Sequence, residues 1–162
     1  MTSLHSVGCL LLAGLIVGCQ PTSDSVPNAD ERNAIADTVS QLFDEIAEAT
    51  NALEFDRLLG NYRASDDLTY VARGQVTRSH ESFADLVDAQ FRGVTEADLR
   101  WIDTHIDVLT STVAVATTTY EFTAVLETGD TVQSAGTFMC IYVARDGEWK
   151  VDYSAHSFPL AR

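Results

Sequence analysis

The second half of the chain contains four long segments that are typical of β-strands, and this feature limits the possible folds most. The segments are rich in Val, Thr, Ile and aromatic residues, which favour strands. They cover 99–109, 113–126, 131–145 and 148–158. Turn signals separate them at Thr128-Gly129-Asp130 and at Asp146-Gly147, and the latter is a strong signal for a two-residue hairpin. Four such segments in succession predict a long antiparallel meander.

Helical patterns precede the strands. Apolar residues recur at helical spacing from Ile35 to Leu53, and Asn28 or Asp30 can cap the start. A short second pattern covers 55–62, and Ser79 is a good N-cap for a third helix.

A short strand pair separates the second helix from the third. LTYVAR (68–73) forms one strand, Gly74 turns the chain, and VTR (76–78) begins the return. Helices followed by a long meander predict an α+β fold with the helices packed on one face of a bent sheet.

The chain begins with an apolar run that stops at a cysteine. Residues 10–18 are apolar or small throughout, which is too short to span a bilayer but matches the core of a signal peptide. Ile16-Val17-Gly18-Cys19 is similar to a bacterial lipobox, in which the cysteine thiol is alkylated with diacylglycerol and the chain is cut before it. Two or three acyl chains suffice for stable anchoring. The alternative is a buried helix with an incidental cysteine.

This similarity predicts three parts: a signal peptide (1–18), a flexible tether (19–31) and one domain (32–160). The tether holds two of the three prolines and many small polar residues. Lipoprotein sorting rules imply that Gln20, next to Cys19, favours the outer membrane where one exists. We therefore expect a protein of the bacterial cell envelope that faces outside the cytoplasm.

The charge balance restricts the partners. The chain carries 24 acidic and 10 basic residues, a formal net charge of −14, and has no basic stripe that would bind nucleic acid. Anionic lipid headgroups repel a domain with this negative charge, so membrane attachment would depend on the acyl chains of Cys19. Cys140 has no partner for a disulfide within the predicted domain, and no zinc or cofactor motif is present. We expect no cofactor and no metal.

Two stretches carry a resemblance to a known family: NALEFDRLLGNYRASDDLTYV (51–71) and ARDGEWKVDYSAHS (144–157). Together with the order of helices and strands, they resemble the NTF2-like fold, and more nearly its SnoaL-like and DUF4440 domains, over residues 33–158. The resemblance implies a cone of three N-terminal helices on a strongly bent, mainly antiparallel sheet with a pocket inside. It also implies a homodimer through the convex face, near Met139 and Ile141.

Strand alternation predicts which side chains line that pocket. Across the Asp146-Gly147 hairpin, one face carries aromatic residues and the other carries Lys150, Asp152, Ser154 and His156. We expect the aromatic face to be concave. The expected lining residues are Tyr70, Tyr120, Phe122, Phe138, Tyr142, Trp149 and Tyr153. The alternative is that these aromatics only fill the core.

The orientation of strand 113–126 depends on the loop near Gly129. A two- or four-residue loop would turn Glu121 inward, whereas a three-residue loop would turn Tyr120 and Phe122 inward, because a slip of one residue inverts a strand. Burial favours the aromatic pair.

Asp103, His105 and Asp107 alternate along one strand and so share a face. A histidine between two carboxylates can act as an oriented general base or as half of a metal site. The simpler interpretation is an amphipathic strand with a solvated polar side.

The remaining polar candidates are more scattered. His156 shares a predicted face with Asp152 but lies about 13 Å along the strand from it. Arg73 and Arg78 flank a turn and can bind an anionic ligand or simply lie on the surface.

Two functions are consistent with these features. The favoured one is a membrane-anchored extracytoplasmic lipoprotein whose domain binds a small apolar ligand or a protein partner. The alternative is a SnoaL-like enzyme doing acid–base chemistry of the isomerase, cyclase or dehydratase type. Its catalytic residues would be Asp103, His105, Asp107 and His156.

Ketosteroid isomerase chemistry is disfavoured, because Ile46 stands where its tyrosine is expected and LTYVAR offers no carboxylate base. A cavity that contained Asp103, His105 or His156 would favour the enzyme.

Overall fold

The computed structural model describes residues 26–158, so the predicted signal peptide, Cys19 and most of the tether lie outside the described residues. The described chain folds as three helices packed on a six-stranded sheet, which is the expected α+β architecture. The elements are α1 (Ala29–Asn51), α2 (Phe55–Gly60), β1 (Thr69–Ala72), β2 (Gln75–Arg78), α3 (His80–Phe91), β3 (Val94–Val108), β4 (Val113–Leu126), β5 (Thr131–Arg145) and β6 (Glu148–Ser157). No helix in 26–158 is long and apolar enough to cross a membrane.

Helix α1 begins where a capping box satisfies its first amide groups. The Asn28 side chain accepts from the backbone of Glu31, and the Glu31 carboxylate accepts from the Asn28 backbone N–H. The helix therefore starts at Ala29, within the segment predicted as tether. It ends at Asn51, before Leu53, because Leu53 has a left-handed backbone with a φ of 57°.

The strands form one sheet in the order β2-β1-β6-β5-β4-β3. Every neighbouring pair is antiparallel except β1 with β6, which is parallel. The β4–β5 register pairs Tyr120 with Gly136, and Leu126 donates to the carbonyl of Asp130 at 2.9 Å. This register corresponds to the three-residue loop, so Tyr120 and Phe122 face the helices. β3 starts at Val94, five residues earlier than the pattern indicates.

A β-bulge inverts the faces of β6 halfway along its length. Tyr142 pairs with Val151, but Ile141 pairs with Tyr153, so Asp152 is an extra residue. Beyond Asp152, Tyr153 turns to the outer face and is 37% exposed. The expectation that Tyr153 lies on the concave face is therefore wrong.

The bulge coincides with a change in the neighbours of β6. Before the bulge, Val151 exchanges backbone hydrogen bonds with Asn61 and Arg63, and after it β6 pairs with β1. The Asp152 carboxylate forms ion pairs with Arg63 and Arg145, and the Arg63 and Asp152 side chains are only 15% and 20% exposed. These ion pairs hold the extra residue on the outer side of the strand.

The core lies between the helices and the concave face of the sheet. Phe43 of α1 stacks on Trp101 and Phe138, with ring centroids 4.7 Å and 5.9 Å away. The Trp101 indole also donates to the Phe43 carbonyl at 3.2 Å. These contacts fix α1 across β3 and β5 and leave a cavity beside them.

Candidate functional site

A cavity of about 390 Å³ lies between the helices and the inner face of the sheet. This volume falls within the range of small-molecule sites, and its wall is mostly aliphatic and aromatic. Arg73, Gln90 and Val132 belong to the wall but are exposed to solvent, so they mark the rim through which a ligand can enter.

His156 lies in the wall of this cavity because of the bulge at Asp152. Its ring centroid is 4.2 Å from that of Phe138 and 5.5 Å from those of Tyr70 and Tyr120. Its Nδ1 atom is enclosed and has no hydrogen-bond partner among the described residues. Nε2 is therefore the ring nitrogen that can meet a ligand.

The surroundings keep His156 neutral at physiological pH. Burial, and then the charge of Arg73, lower its pKa from 6.5 to about 4. A neutral imidazole has one nitrogen with a free lone pair, so it can accept a proton or a hydrogen bond from a ligand.

Two tyrosine hydroxyl groups accompany His156 in the wall. Burial raises the pKa of Tyr70 to about 12, with a further contribution from Tyr120 and an opposing one from Arg73. Burial also raises the pKa of Tyr120, and hydrogen bonding by Ser134 opposes this rise. Both hydroxyls therefore stay protonated at neutral pH and can donate hydrogen bonds.

Four of the seven aromatic residues expected in the pocket line the cavity: Tyr70, Tyr120, Phe122 and Phe138. The other three do not. Tyr142 is fully buried in the core. Trp149 lies on the same face of the sheet as Tyr142. It is next to the Asp146-Gly147 turn, away from the cavity, and pairs with Ala144. Tyr153 lies on the outer face, since the bulge inverts the strand before it.

The three polar residues of β3 lie outside the cavity. Asp103, His105 and Asp107 all point to the solvent side of this edge strand. His105 Nε2 lies 3.1 Å from an Asp107 carboxylate oxygen, but the His105 side chain is 73% exposed. None of the three belongs to the wall of the cavity, so the structure does not bring them together with His156. Residues 26–158 contain no group of three His, Cys, Asp or Glu side chains that could hold a metal ion.

Several polar residues of the wall are not among those expected from the sequence. Gln90 of α3, Ser134 of β5 and Thr50 of α1 all line the cavity. Gln90 could have been recognised as a candidate site residue from the sequence, because it is a polar residue on the otherwise apolar face of its helix. The Thr50 hydroxyl donates to the Ile46 carbonyl at 2.7 Å, so it serves the helix rather than a ligand.

The comparisons with known proteins agree with this architecture. A family model described as SnoaL-like domain matches residues 39–161. No curated protein matches the sequence significantly. An NTF2-like superfamily protein from Salmonella enterica superposes with a TM-score of 0.72 at 14% identity, over 80% of this chain and 94% of that chain.

Two other solved structures share the fold. A proposed scytalone dehydratase from Novosphingobium aromaticivorans has a TM-score of 0.74 at 10% identity, over 82% of this chain and 89% of that one. The hexachlorocyclohexane dehydrochlorinase LinA-type3 from Novosphingobium barchaimii has a TM-score of 0.69 at 16% identity, over 81% and 90%. With helices packed on a curled sheet around a cavity, and a family match over most of its length, the chain belongs to the SnoaL-like family of NTF2-like proteins.

Proposed function

We propose that this domain is an enzyme that admits a small, largely apolar organic substrate to its cavity and removes a proton from it with His156. The observation that carries the proposal is the neutral imidazole of His156, set in the cavity wall beside two protonated tyrosines. The lowered pKa of His156 keeps it unprotonated at neutral pH, as a general base must be, but also makes it a weak base. The C–H bond of the substrate must therefore be made acidic by the hydrogen bonds that Tyr70 and Tyr120 donate.

The chemistry follows from these groups. Nε2 of His156 would accept the proton of an acidic C–H bond. The electron pair of that bond would move to a neighbouring carbonyl oxygen or expel a leaving group. The hydroxyls of Tyr70 and Tyr120 can donate hydrogen bonds to the oxygen on which negative charge develops. The apolar wall excludes water, which strengthens those hydrogen bonds.

Two of the structural relatives support this reaction class. Their names refer to a dehydratase and a dehydrochlorinase, and such eliminations remove a proton and a hydroxide or chloride leaving group, which together make water or hydrogen chloride. At 10% and 16% identity these two relatives show only that the fold is shared. The proposed reaction therefore depends on the position of His156 in this chain.

Deuterium exchange tests the role of His156 directly. The protein is incubated in D₂O with α-tetralone, a neutral aromatic ketone with an exchangeable C–H next to its carbonyl, and deuterium uptake is followed by mass spectrometry. We expect the wild type to accelerate the exchange over buffer and His156→Gln to abolish the acceleration. His105→Gln, which changes the exposed histidine, is the matched control. Equal acceleration by wild type and His156→Gln would overturn the proposal.

A second candidate function is binding without turnover. It is favoured by the enclosed Nδ1 of His156, which has no carboxylate partner to orient the ring, and by the absence of Asp and Glu from the described wall residues. Under this function α-tetralone would bind to the wild type, and its exchange would remain at the rate of buffer.

We also propose that acyl chains on Cys19 anchor the mature protein to a bacterial membrane, with the domain facing outside the cytoplasm. The order of features in the sequence supports this anchor: an apolar run comes first, then Cys19, and then a polar segment. Since α1 begins at Ala29, residues 20–28 would form a tether of up to about 30 Å. Labelling with a palmitate analogue should mark the wild type and spare Cys19→Ala. Equal labelling of both proteins would contradict the anchor.

Pairing of two copies through the convex face remains a proposal as well. Met139 and Ile141 are only half-buried there, and the bulge adds the exposed ring of Tyr153 beside Ile141. Light scattering should give a doubled mass for the wild type and a single mass for Ile141→Glu. A monomeric wild type would refute the dimer.

A further inference from the structure

Arg73 is a cation at the rim of the cavity, and no described residue of opposite charge pairs with it. It occupies the two-residue turn between β1 and β2, and its guanidinium carbon lies 5.0 Å above the ring of Phe158. Stacking on a ring restrains the plane of the guanidinium and leaves its N–H edge available. Arg57, Arg63 and Arg145 each pair with carboxylates, but Arg73 forms no ion pair with any residue in 26–158.

The charge of Arg73 is directed at the cavity. It acts on three titratable groups of the wall: it lowers the pKa of His156 and opposes the rise of the pKa values of Tyr70 and Tyr120. The described wall contains no Asp or Glu that would neutralise it. In a chain with a formal net charge of −14, Arg73 is thus a positive charge in a wall whose described residues include no negative one.

The turn itself does not require an arginine. Arg73 and Gly74 have φ values of 52° and 76°, and the hairpin turn at Asp146-Gly147 has 54° and 81°. Asp, Asn and Gly tolerate the left-handed conformation at the first of these positions, whereas a long side chain there costs about 1 kcal/mol. The conformation of the turn therefore does not account for an arginine at this position.

We propose that Arg73 binds the carboxylate of the substrate, so the substrate class is a small aromatic or alicyclic carboxylic acid. The guanidinium fork would hold the carboxylate at the rim with two parallel N–H donors, while the ring of the acid occupies the apolar cavity. The molecule would then extend inward to His156, which also packs against Phe158. This inference rests on the proposed function and names the substrate class of the same site.

The test compares two probes of the same shape that differ only in charge: cinnamate and its neutral amide, cinnamamide. Binding of each to the purified full chain is measured by isothermal titration calorimetry at low salt. We expect the wild type to bind cinnamate about tenfold more tightly than cinnamamide, the usual gain from a hydrogen bond to a charged group. In Arg73→Gln the two probes should bind with similar affinity, and Arg73→Lys should show an intermediate preference because it keeps the charge but loses the fork.

Arg78→Gln is the matched control. Arg78 lies at the other end of β2, and its guanidinium faces the Thr69 hydroxyl at 3.5 Å rather than the cavity. This variant should keep the full preference for cinnamate. An equal affinity of the wild type for both probes, or a preference that survives in Arg73→Gln, would overturn the assignment of Arg73.

The outcome is separable from that of the proposed function. Deuterium exchange of α-tetralone involves no carboxylate and depends on His156. If the wild type accelerates that exchange but does not prefer cinnamate, then only the substrate class is wrong. If it prefers cinnamate through Arg73 but does not accelerate the exchange, then the anion site stands and the base role of His156 falls.

Discussion

His105 and His156 both lie on strands with alternating polar and apolar residues, yet only His156 borders the cavity. His105 is on β3, at the edge of the sheet, and its side chain is 73% exposed beside Asp107. His156 is on β6, between β1 and β5, and aromatic rings surround it. The sequence around His105 is richer in carboxylates than that around His156, so the local pattern does not indicate which histidine borders the cavity.

The difference arises from the neighbours of each strand. β3 pairs only with β4, and its polar face can remain in water while Trp101 and Ile106 face the core. β6 has neighbours on both sides and changes partners at Asp152, where the bulge inverts its faces. Whether a side chain faces the cavity therefore depends on the place of its strand in the sheet and on the register of that strand, more than on its neighbours in sequence.

The largest expected effect is on the reaction rate. His156→Gln should slow the wild-type exchange of α-tetralone by about 100-fold, the lower end of what a positioned general base contributes. His105→Gln should leave the rate within about twofold, because its side chain points to solvent on the opposite face. A comparable loss in both variants would mean that the distinction between the two histidines is false.

A second prediction concerns the fit of β5 against the end of β6. A Cβ on Gly136 would lie 2.1 Å from the Ser157 carbonyl oxygen, so Gly136→Ala must displace the strand that carries His156. We expect a loss of about 3 kcal/mol in the free energy of unfolding, measured in urea. Gly60→Ala is the control, since nothing lies within 4 Å of its Cβ. Similar stability of Gly136→Ala and wild type would show that the close approach is not required.

A third prediction tests the side chain at the bulge. Asp152→Ala leaves Arg63 without its carboxylate in a site where that side chain is only 15% exposed. The free energy of unfolding should fall by about 2 kcal/mol, less than for a fully buried pair. Asp103→Ala, on the exposed face of β3, should change it by at most about 0.5 kcal/mol. An equal, small effect of both substitutions would argue that the ion pairs do not stabilise the bulge.

The smallest expected effect is a pH dependence of stability. Because the pKa of His156 is about 4 in the folded chain and 6.5 in the reference state, the unfolded chain takes up the proton first as the pH falls. Stability is therefore lost below pH 6.5, by about 1 kcal/mol between pH 7 and pH 5.5. The charged and titratable groups that face His156 are Arg73, Tyr70 and Tyr120, and both tyrosines stay neutral in this range because burial raises their pKa values.

Urea unfolding at the two pH values measures this contribution. His156→Gln should lack it, and His105→Gln should retain it. If wild type and His156→Gln show the same pH dependence, then His156 is not desolvated in the folded protein.

Much of the fold was predictable because its signals are local. The α+β class, Ser79 as the cap of α3, the Asp146-Gly147 turn and the bounds of β4 and β5 follow from caps, turn residues and strand composition. The boundary errors are also local in origin. The capping box at Asn28 starts α1 earlier than the tether composition indicates, and the left-handed backbone of Leu53 excludes it from the helix.

The sequence by itself determined the helices, the strands, their turns and the candidate polar residues, because caps, turns and alternation depend on neighbours within a few positions. Only the tertiary structure decided which histidine faces the cavity. At the bulge Asp152 forms an ion pair with Arg63, which is 89 residues away along the chain. Beyond it β6 pairs in parallel with β1, and no local pattern records either contact. The shift of one residue turns Tyr153 outward and His156 inward, because successive side chains of a strand point to opposite faces.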